Sequence, residues 1–524
     1  MIPALTLPEI VQHIVSVSGY REQCKLAYTC KRLFDAVVPV IWRDLAGVHI
    51  VMKLIPGVNI AEEYSYSAYG MVWGFKDITI DDTALAENWT RYWIYAPLVK
   101  HLTAFATRQC PRGETFRIQG WQFLLPKLQL EGGTLLPNLL SLNTGLLAEF
   151  THPEQLAWSA LLLSPSIQRL HLHDLALETA IEGAVRPLDL LLQGLPRSLP
   201  QDPSLSPPVR DKWQQPEATF ASLFPSVYQA GSNWFRIAAL SDLRYLIIHS
   251  PGWPNEPWDE LYVLGCLPRL EELQIDFLRS DISNKSQTNT SPLPSSSFPS
   301  LRTLTLNSLP NRNVFFQISD LIPKVPRLSS VNLSVSGFIL APDDFADCWS
   351  QLKRSPNLVD LSLTMDFHNM GALHIAYKIL SEKPLEALGI YSRQMGEYPI
   401  SYLDKAFPHL RRLNLMPPFE LADWSVLPKI AKAFPNLELL CMKPRGFNMV
   451  DTLGRLDTSG HLASQKIEIR LVHDSYQHEF LVNGREGGWN EAGNQVINFL
   501  RRIWPNAVVV PEWQDHYSTV WYDM

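Results

Sequence analysis

The chain has 524 residues, 46% of which are hydrophobic, and a formal net charge of −7. Single hydrophobic cores stop growing at roughly 250 to 300 residues, so this length predicts several domains or one extended repeat array. Because the charge balance is mildly acidic and no run of basic residues occurs, the composition argues against nucleic acid and anionic membranes as partners.

The N-terminal sequence MIPALTLPEI (1–10) lacks the charged segment and the apolar core of a secretory signal. The apolar stretch at 36–56 is interrupted by Arg43, Asp44, His49 and Lys53, so it does not predict a transmembrane helix. The six cysteines include no CxxC pair, which predicts reduced thiols and no zinc site. We therefore expect an intracellular protein, cytoplasmic and/or nuclear, with no metal or cofactor.

Residues 1–46 have the hydrophobic spacing of a small domain of three short helices. The first helix follows Pro8, a residue that favours helix starts, and its apolar positions are Ile10, Val11, Ile14 and Val17. The second is predicted from the spacing of Leu26, Ala27, Cys30 and Leu33. The third ends near Trp42. Because such a unit is too short to be very stable by itself, we expect it to dock on something.

These residues resemble the motif of the F-box proteins, which runs L-P-x-E-I-x-x-x-I, then a spaced L-x-x-x-C-K-x-W, and finally W-R-x-L. The matching positions are Leu7, Pro8, Ile10, Ile14, Leu26, Cys30, Lys31, Trp42, Arg43 and Leu45. The sequence departs from the motif at Leu33 and Phe34, where the family often has tryptophan, and at Glu9, which directly follows the proline. The resemblance covers about a tenth of the chain.

The resemblance implies that the N-terminal helices bind a Skp-type adaptor, which links to a cullin-RING ubiquitin ligase. The residues expected to contact the adaptor are Leu7, Pro8, Ile10, Ile14, Leu26, Cys30 and Trp42. The alternative for each of them is a place in the core of the helices, and for Leu26 and Cys30 both interpretations stay open.

Residues 47–135 form a connecting region that shows only a weak pattern. The segment PLVKHLTAF (97–105) is interpreted as an early, degenerate repeat. The tryptophans and tyrosines of the region are more typical of a core than of a cofactor site. An enzyme hidden within 59–160 therefore has little support.

A nine-residue pattern recurs farther along the chain as FPSLRTLTL (298–306), FPHLRRLNL (407–415) and FPNLELLCM (434–442). Looser copies bring the number of repeats to ten, with first apolar residues at Leu139, Ile167, Leu243, Leu270, Leu301, Leu328, Leu358, Leu385, Leu410 and Leu437. From Leu243 onward the steps are 27, 31, 27, 30, 27, 25 and 27 residues. A step of about 20 to 29 residues headed by L-x-x-L-x-L is the signature of leucine-rich repeats.

Each repeat predicts a short strand whose leucines face a core, followed by a segment with helical spacing. A proline then ends the helix and returns the chain to extended geometry. Such units must stack to bury their apolar faces, so we predict an α/β solenoid with parallel strands on the concave face and helices on the convex face. The last unit is predicted in 490–510, as a helix followed by a degenerate strand at 507–510.

The predicted solenoid spans residues 136–512 and carries two loop excursions, one rich in proline at 194–217 and one rich in serine, threonine and asparagine at 279–300. A C-terminal tail, 513–524, follows it. Each excursion is either a tolerated loop or a segment that binds a partner or is phosphorylated.

The outward residues of successive strands together make the surface on which a substrate is expected to lie. The positions predicted to contact it are Arg169, His171, His173, Tyr245, His249, Glu272, Asp276, Asp360, Tyr391 and Arg412. The arginine and tyrosine positions are the expected hot spots, because these residue types dominate binding energy at protein interfaces. The alternative for any single position is a solvated face.

No motif for phosphate binding, dinucleotide binding, zinc proteolysis or serine hydrolysis occurs in the sequence. His171 and His173 share a strand face with Asp174 nearby, but a third ligand of matching direction is missing, so no metal site is predicted. The expected function is therefore non-enzymatic: substrate recognition within a Skp-cullin-F-box ligase. The alternative is a leucine-rich-repeat scaffold or inhibitor that acts outside a ligase.

Overall fold

The structure is a computed structural model. It describes residues 8–66, 72–104, 115–120, 123–124, 127–128, 134–144, 161–172, 240–249, 261, 264–277, 297–309, 312–335, 342–364, 380, 383–391, 407–415, 424, 426–442, 466–473 and 491–513. The chain divides into two compact units, residues 1–278 with 298–300, and residues 279–297 with 301–524. Of the predicted features, Leu7, His173, the excursion at 194–217, most of the excursion at 279–300 and the tail after Trp513 lie outside the described residues.

The described helices of the first unit are α1 (Pro8–Val17), α2 (Tyr20–Ala27), α3 (Lys31–Arg43), α4 (His49–Met52), α5 (Thr83–Ala86) and α6 (Thr90–Tyr95). Its strands are β1 (Asp44–Ala46), β2 (Val58–Tyr66), β3 (Val72–Ile80), β4 (His101–Thr103), β5 (Thr115–Gln119), β6 (Ser141–Asn143), β7 (Arg169–Leu172), β8 (Tyr245–His249) and β9 (Glu272–Asp276).

Helices α1, α2 and α3 pack around a small core of Val11, Val15 and Val37. The side chain of Gln23 ties α2 to α1, because its Nε2 donates to the carbonyl of Val15 at 2.9 Å. The second predicted helix, which placed Leu26 and Leu33 on one element, is wrong. The backbone of Cys30 is extended, with φ −162° and ψ 160°, and this residue separates α2 from α3.

Helix α3 runs into β1 without an intervening residue. At this junction the Trp42 ring stacks on the Tyr95 ring of α6, with 4.7 Å between the centroids. The carbonyl of Arg43 also accepts a hydrogen bond from the Lys100 N–H, just before β4, at 2.9 Å. The helical unit is therefore joined to the following strands by packing as well as by the chain.

Two sheets form in the first unit. Strands β2 and β3 pair antiparallel, and β5 pairs parallel with β3. The other six strands form a parallel sheet in the order β1-β4-β6-β7-β8-β9. One buried leucine from each lies in register with the next: Leu45, Leu102, Leu142, Leu170, Leu246 and Leu273. This row of leucines is the core of the parallel sheet.

The second unit contains the strands β10 (Thr303–Leu309), β11 (Ser330–Val335), β12 (Asp360–Thr364), β13 (Ala387–Tyr391), β14 (Arg412–Leu415), β15 (Leu439–Met442), β16 (Glu468–His473) and β17 (Val508–Trp513). Its described helices are α7 (Arg312–Leu321), α8 (Pro342–Arg354), α9 (Val426–Ala433) and α10 (Glu491–Ile503). The strands pair in parallel in chain order. The predicted helical positions Cys348, Trp349 and Leu352 of α8 are buried.

The strands of all ten predicted repeats are confirmed, and each begins two residues after the first apolar residue of its repeat. Parallel strands alternating with helices at this step are the arrangement that leucine-rich repeats form. The parallel sheet also contains β1 and β4, which lie before residue 136, and β4 falls within the segment 97–105 that was interpreted as an early, degenerate repeat. Strand β16 was not predicted at all, although Ile467, Ile469 and Leu471 alternate as a strand requires.

A shared backbone acceptor fixes where successive strands begin. The carbonyl of Gln168, for example, accepts from the N–H groups of Arg244 at 2.9 Å and Tyr245 at 3.0 Å. In the second unit, the carbonyl of Glu386 accepts from Arg411 at 2.8 Å and Arg412 at 2.9 Å. Since both bonds depend on one carbonyl, a one-residue slip in the register would break two hydrogen bonds.

Candidate functional site

The open face of a strand is defined here as the side opposite its buried leucines. On β7, β8 and β9 this side collects six of the residues predicted to contact a substrate, and together with Gln274 they form what we call the first face. Its members are Arg169, His171, Tyr245, His249, Glu272, Gln274 and Asp276. Arg169, Tyr245 and Glu272 are direct neighbours in register, as are His249 and Asp276.

Arg169 and Tyr245 form a cation–π contact on the first face. The Cζ atom of Arg169 lies 4.6 Å from the centroid of the Tyr245 ring. Burial raises the pKa of the Glu272 carboxyl, the next residue in the row, while the nearby Arg169 charge acts in the opposite direction. The row therefore combines an aromatic surface with one fixed positive charge.

Two histidines and an aspartate form a hydrogen-bonded chain above this row. Nε2 of His171 lies 2.8 Å from Nε2 of His249, and Nδ1 of His249 contacts the Asp276 carboxylate. Burial and the neighbouring His249 lower the pKa of His171 to about 4, although Asp276 opposes this shift. With this pKa, His171 is neutral near pH 7.

Gln274 is a member of the first face that the list of predicted contacts omitted. It lies in register with Ile247, between Glu272 and Asp276 on β9, and only 3% of its surface is exposed. Its Nε2 has no hydrogen-bond partner in the structure. A buried amide donor without an acceptor costs about 1–3 kcal/mol. Alternation along β9 placed this residue outward, but the sequence did not indicate that it would be buried and unpaired.

The open face of β10 to β14 has a different chemistry, and we call it the second face. Eight of its residues on β10, β11 and β12 are short and polar: Thr303, Thr305, Ser330, Asn332, Ser334, Asp360, Ser362 and Thr364. On β13, Ala387 and Gly389 lie in register with Asp360 and Ser362, and this part of the strand has no long side chain on the open face. Strand β14 contributes Arg412 and Asn414, in register with Ala387 and Gly389.

An ion pair crosses this part of β13 and joins two predicted contact residues. Nη2 of Arg412 lies 3.2 Å from Oδ2 of Asp360, across the strand that carries Ala387. Burial raises the pKa of Asp360, while the Arg412 charge and a hydrogen bond with Ser330 act against the shift. Tyr391, the remaining predicted contact, is the last residue of β13 and lies in register with Thr364.

Charged side chains also line the edge at which the strands begin. Arg244 and Glu271 pair at 3.2 Å in the first unit, and Arg411 pairs with Glu438 in the second. Beside the second pair is a groove of about 410 Å³, lined by Pro384, Glu386, His409, Arg411, Asn436 and Glu438. These residues flank the first leucine of each repeat, and the repeat pattern gave no reason to single them out.

The predicted adaptor contacts occupy different environments on the N-terminal helices. Ile10 is 37% exposed, Ile14 is half-buried, and Leu26 packs against the core of Val11, Val15 and Val37. Cys30 immediately precedes α3 and is half-buried, and Trp42 stacks on Tyr95. Pro8 is the first residue of α1. Ile10 and Ile14 therefore lie on the accessible side of α1.

The described residues lack two other kinds of site. No group of three or more histidine, cysteine, aspartate or glutamate side chains in the described ranges could hold a metal ion. Within those ranges, too, no helix has the length and apolar character needed to cross a bilayer.

Neither the protein-family models nor the curated proteins include a match to this chain. Similar solved structures include the crystal structure of a TLR13–ssRNA13 complex, with 13% sequence identity and a TM-score of 0.26. The match covers 70% of this chain and 44% of that chain, so this chain spans less than half the length of that protein. A match at this level of similarity supports no conclusion about the function of this chain.

Proposed function

We propose that this protein is a non-catalytic substrate receptor of a Skp-cullin-F-box ubiquitin ligase. Helices α1 to α3 would bind a Skp-type adaptor, and the open strand faces would hold a target protein. The observation that carries the proposal is the apolar side of α1, where Ile10, Ile14 and Val17 lie away from the core residues Val11 and Val15. Val17 is 71% exposed and Ile10 37%, so this apolar side is open to a partner.

The mechanism proposed is proximity. A receptor that holds a target near a ubiquitin-loaded partner raises the effective concentration of the reacting groups without supplying a catalytic residue. The direct passage from α3 into β1 supports this role, because it limits movement between the helices and the first strands. The partners would be intracellular proteins of the cytoplasm and/or nucleus.

The test is capture of a purified Skp-type adaptor by the full-length protein carrying Ile10→Asp. A charge placed in an apolar contact is expected to weaken capture at least about tenfold, which corresponds to about 1.4 kcal/mol. Gln12→Asp is the matched control, because it puts the same charge on an exposed residue of another side of α1. Equal capture by the two variants and the unmodified chain would rule out the ligase assignment.

A second candidate is a repeat scaffold or inhibitor that acts outside a ligase. It is favoured by the two open faces, which need no adaptor to bind a protein. The candidates differ in their effect on a bound target. Loss of a receptor lengthens the half-life of the target, whereas loss of a scaffold leaves it unchanged, and a cycloheximide chase measures this difference.

A further inference from the structure

Arg169 on β7 is exposed and held in place, yet it has no ionic partner among the described residues. Its guanidinium stacks on Tyr245, at 4.6 Å from the ring centroid. In the part of the chain that the structure describes, no carboxylate lies within ion-pair distance of it. Stacking restrains the planar group while its edge keeps the N–H fork that binds carboxylates in a bidentate manner.

The acidic residues of the same face do not replace that missing partner. Asp276 is in contact with His249, and the pair is mostly covered, since each side chain is 16% exposed. Burial raises the pKa of Glu272, while the nearby Arg169 charge opposes this shift, and the two side chains form no ion pair. Among the described residues, the guanidinium is therefore a fixed charge on the first face that no ion pair neutralises.

A second unused donor lies two strands away. Nε2 of Gln274 on β9 has no acceptor within the described ranges, and the residue is almost fully buried. Two strand spacings amount to roughly 10 Å, which an extended peptide spans in about three residues. Both donors require an acceptor oxygen, so an anionic group and a nearby carbonyl on one segment would satisfy them.

We propose that the first face is a docking site for an acidic segment of a partner protein, with Arg169 as its anchor. The anchor forms a bidentate pair with an aspartate or glutamate side chain. A carboxylate fits this site better than a phosphate, because a single guanidinium beside Glu272 balances one negative charge and not two. The inference rests on the proposed function only in taking the partner to be a protein.

Arg412 provides an internal comparison for the anchor. It is an exposed arginine at the corresponding strand position of the second unit, but its guanidinium is already paired with Asp360 at 3.2 Å. We therefore expect Arg412 to contribute little to acid recognition, which makes Arg412→Gln the matched control for Arg169→Gln.

The experiment uses the full-length protein and an array of short synthetic peptides of randomised sequence, each acidic peptide paired with its Asn/Gln counterpart. We expect bound peptides to be enriched in Asp and Glu. Their binding should fall about tenfold in Arg169→Gln, the equivalent of one lost bidentate pair, and stay unchanged in Arg412→Gln. Gln274→Met should weaken the same peptides severalfold, and thermal unfolding verifies that each variant is folded.

Three results would overturn the proposal. If the bound peptides were not enriched in Asp and Glu, recognition of acidic residues would be refuted. Full binding by Arg169→Lys would refute the bidentate geometry, because lysine keeps the charge but not the fork of N–H groups. A preference for phosphopeptides over Asp/Glu peptides would refute the carboxylate assignment. Ile10→Asp is expected to leave peptide binding intact, so failure of the adaptor test and failure of this test are distinguishable.

Discussion

The first face and the second face are built on the same leucine framework but present opposite kinds of surface. The first carries Arg169 stacked on Tyr245 and a half-buried histidine pair. The second carries rows of short hydroxyl and amide side chains, and its arginine is neutralised by Asp360. The difference shows that the inward residues set where the strands lie, while the outward residues are free to set what the surface binds.

The largest expected effect is the loss of stability when a leucine of the framework that both faces share is truncated. Leu246→Ala, beneath the first face, and Leu361→Ala, beneath the second, each remove a fully buried side chain. Each should lower the free energy of unfolding by about 2–5 kcal/mol, as measured by the shift of the urea midpoint. Ile247→Ala, on the outward side of β8, is the control and should cost clearly less. A similar loss in all three variants would contradict the division into an inward and an outward side.

The histidine pair should make stability depend on pH through the first face. The pKa of His171 is lowered from 6.5 to about 4 in the folded protein, so the unfolded chain binds the proton more tightly. Stability is therefore lost as the pH falls from about 6.5 towards 4, by about 1–3 kcal/mol after allowance for solvent exposure.

His171→Gln should flatten this dependence, measured as the difference in urea midpoint between pH 7 and pH 5. The exposed His13 of α1 supplies the control, and His13→Gln should keep the slope of the unmodified chain. The prediction fails if His171→Gln retains the full slope.

The contact between Arg169 and Tyr245 predicts a smaller effect on stability and peptide binding, which appears as a difference between two substitutions of Tyr245. Tyr245→Phe keeps the ring and should change stability and peptide binding little, whereas Tyr245→Ala removes the surface that holds Arg169. The loss for alanine, beyond that for phenylalanine, should be about 0.5–1 kcal/mol. Peptide titration and thermal unfolding both measure it, and equal behaviour of the two variants would show that the ring does not position the guanidinium.

The smallest expected effect on stability concerns the ion pair of the second face. The Asp360 and Arg412 side chains are 30% and 46% exposed, so Asp360→Asn should cost less than about 1 kcal/mol. The substitution also frees Arg412, which should then bind acidic peptides that the unmodified second face ignores. Asp347→Asn, an exposed residue of α8, is the control. Unchanged peptide binding would mean that the pairing does not decide which face recognises acids.

Much of this arrangement was predictable because two periodicities act together. The L-x-x-L-x-L spacing identified ten strands, and the two-residue alternation placed Arg169, Tyr245 and Glu272 outward. Parallel stacking in equal register then brings such residues together although about 100 residues of sequence separate the first from the last.

Other features escaped sequence reasoning for physical reasons. Strand β1 has three residues and directly follows α3, so no repeat spacing marks it in the sequence. The second helix was misplaced because its spacing continued across the extended residue Cys30. The Arg412–Asp360 pair reaches across a strand, so it depends on Ala387 being small, a condition that no local motif encodes.

The junction between α3 and β1 has a geometric consequence. Because no residue separates Arg43 from Asp44 at this boundary and Trp42 stacks on Tyr95, movement of the helices relative to β1 is restricted. A partner bound to α1 is therefore presented to β1 and the strands that follow it within a restricted range of angles and distances. This end of the chain therefore acts as a support of restricted mobility and not as a flexible linker.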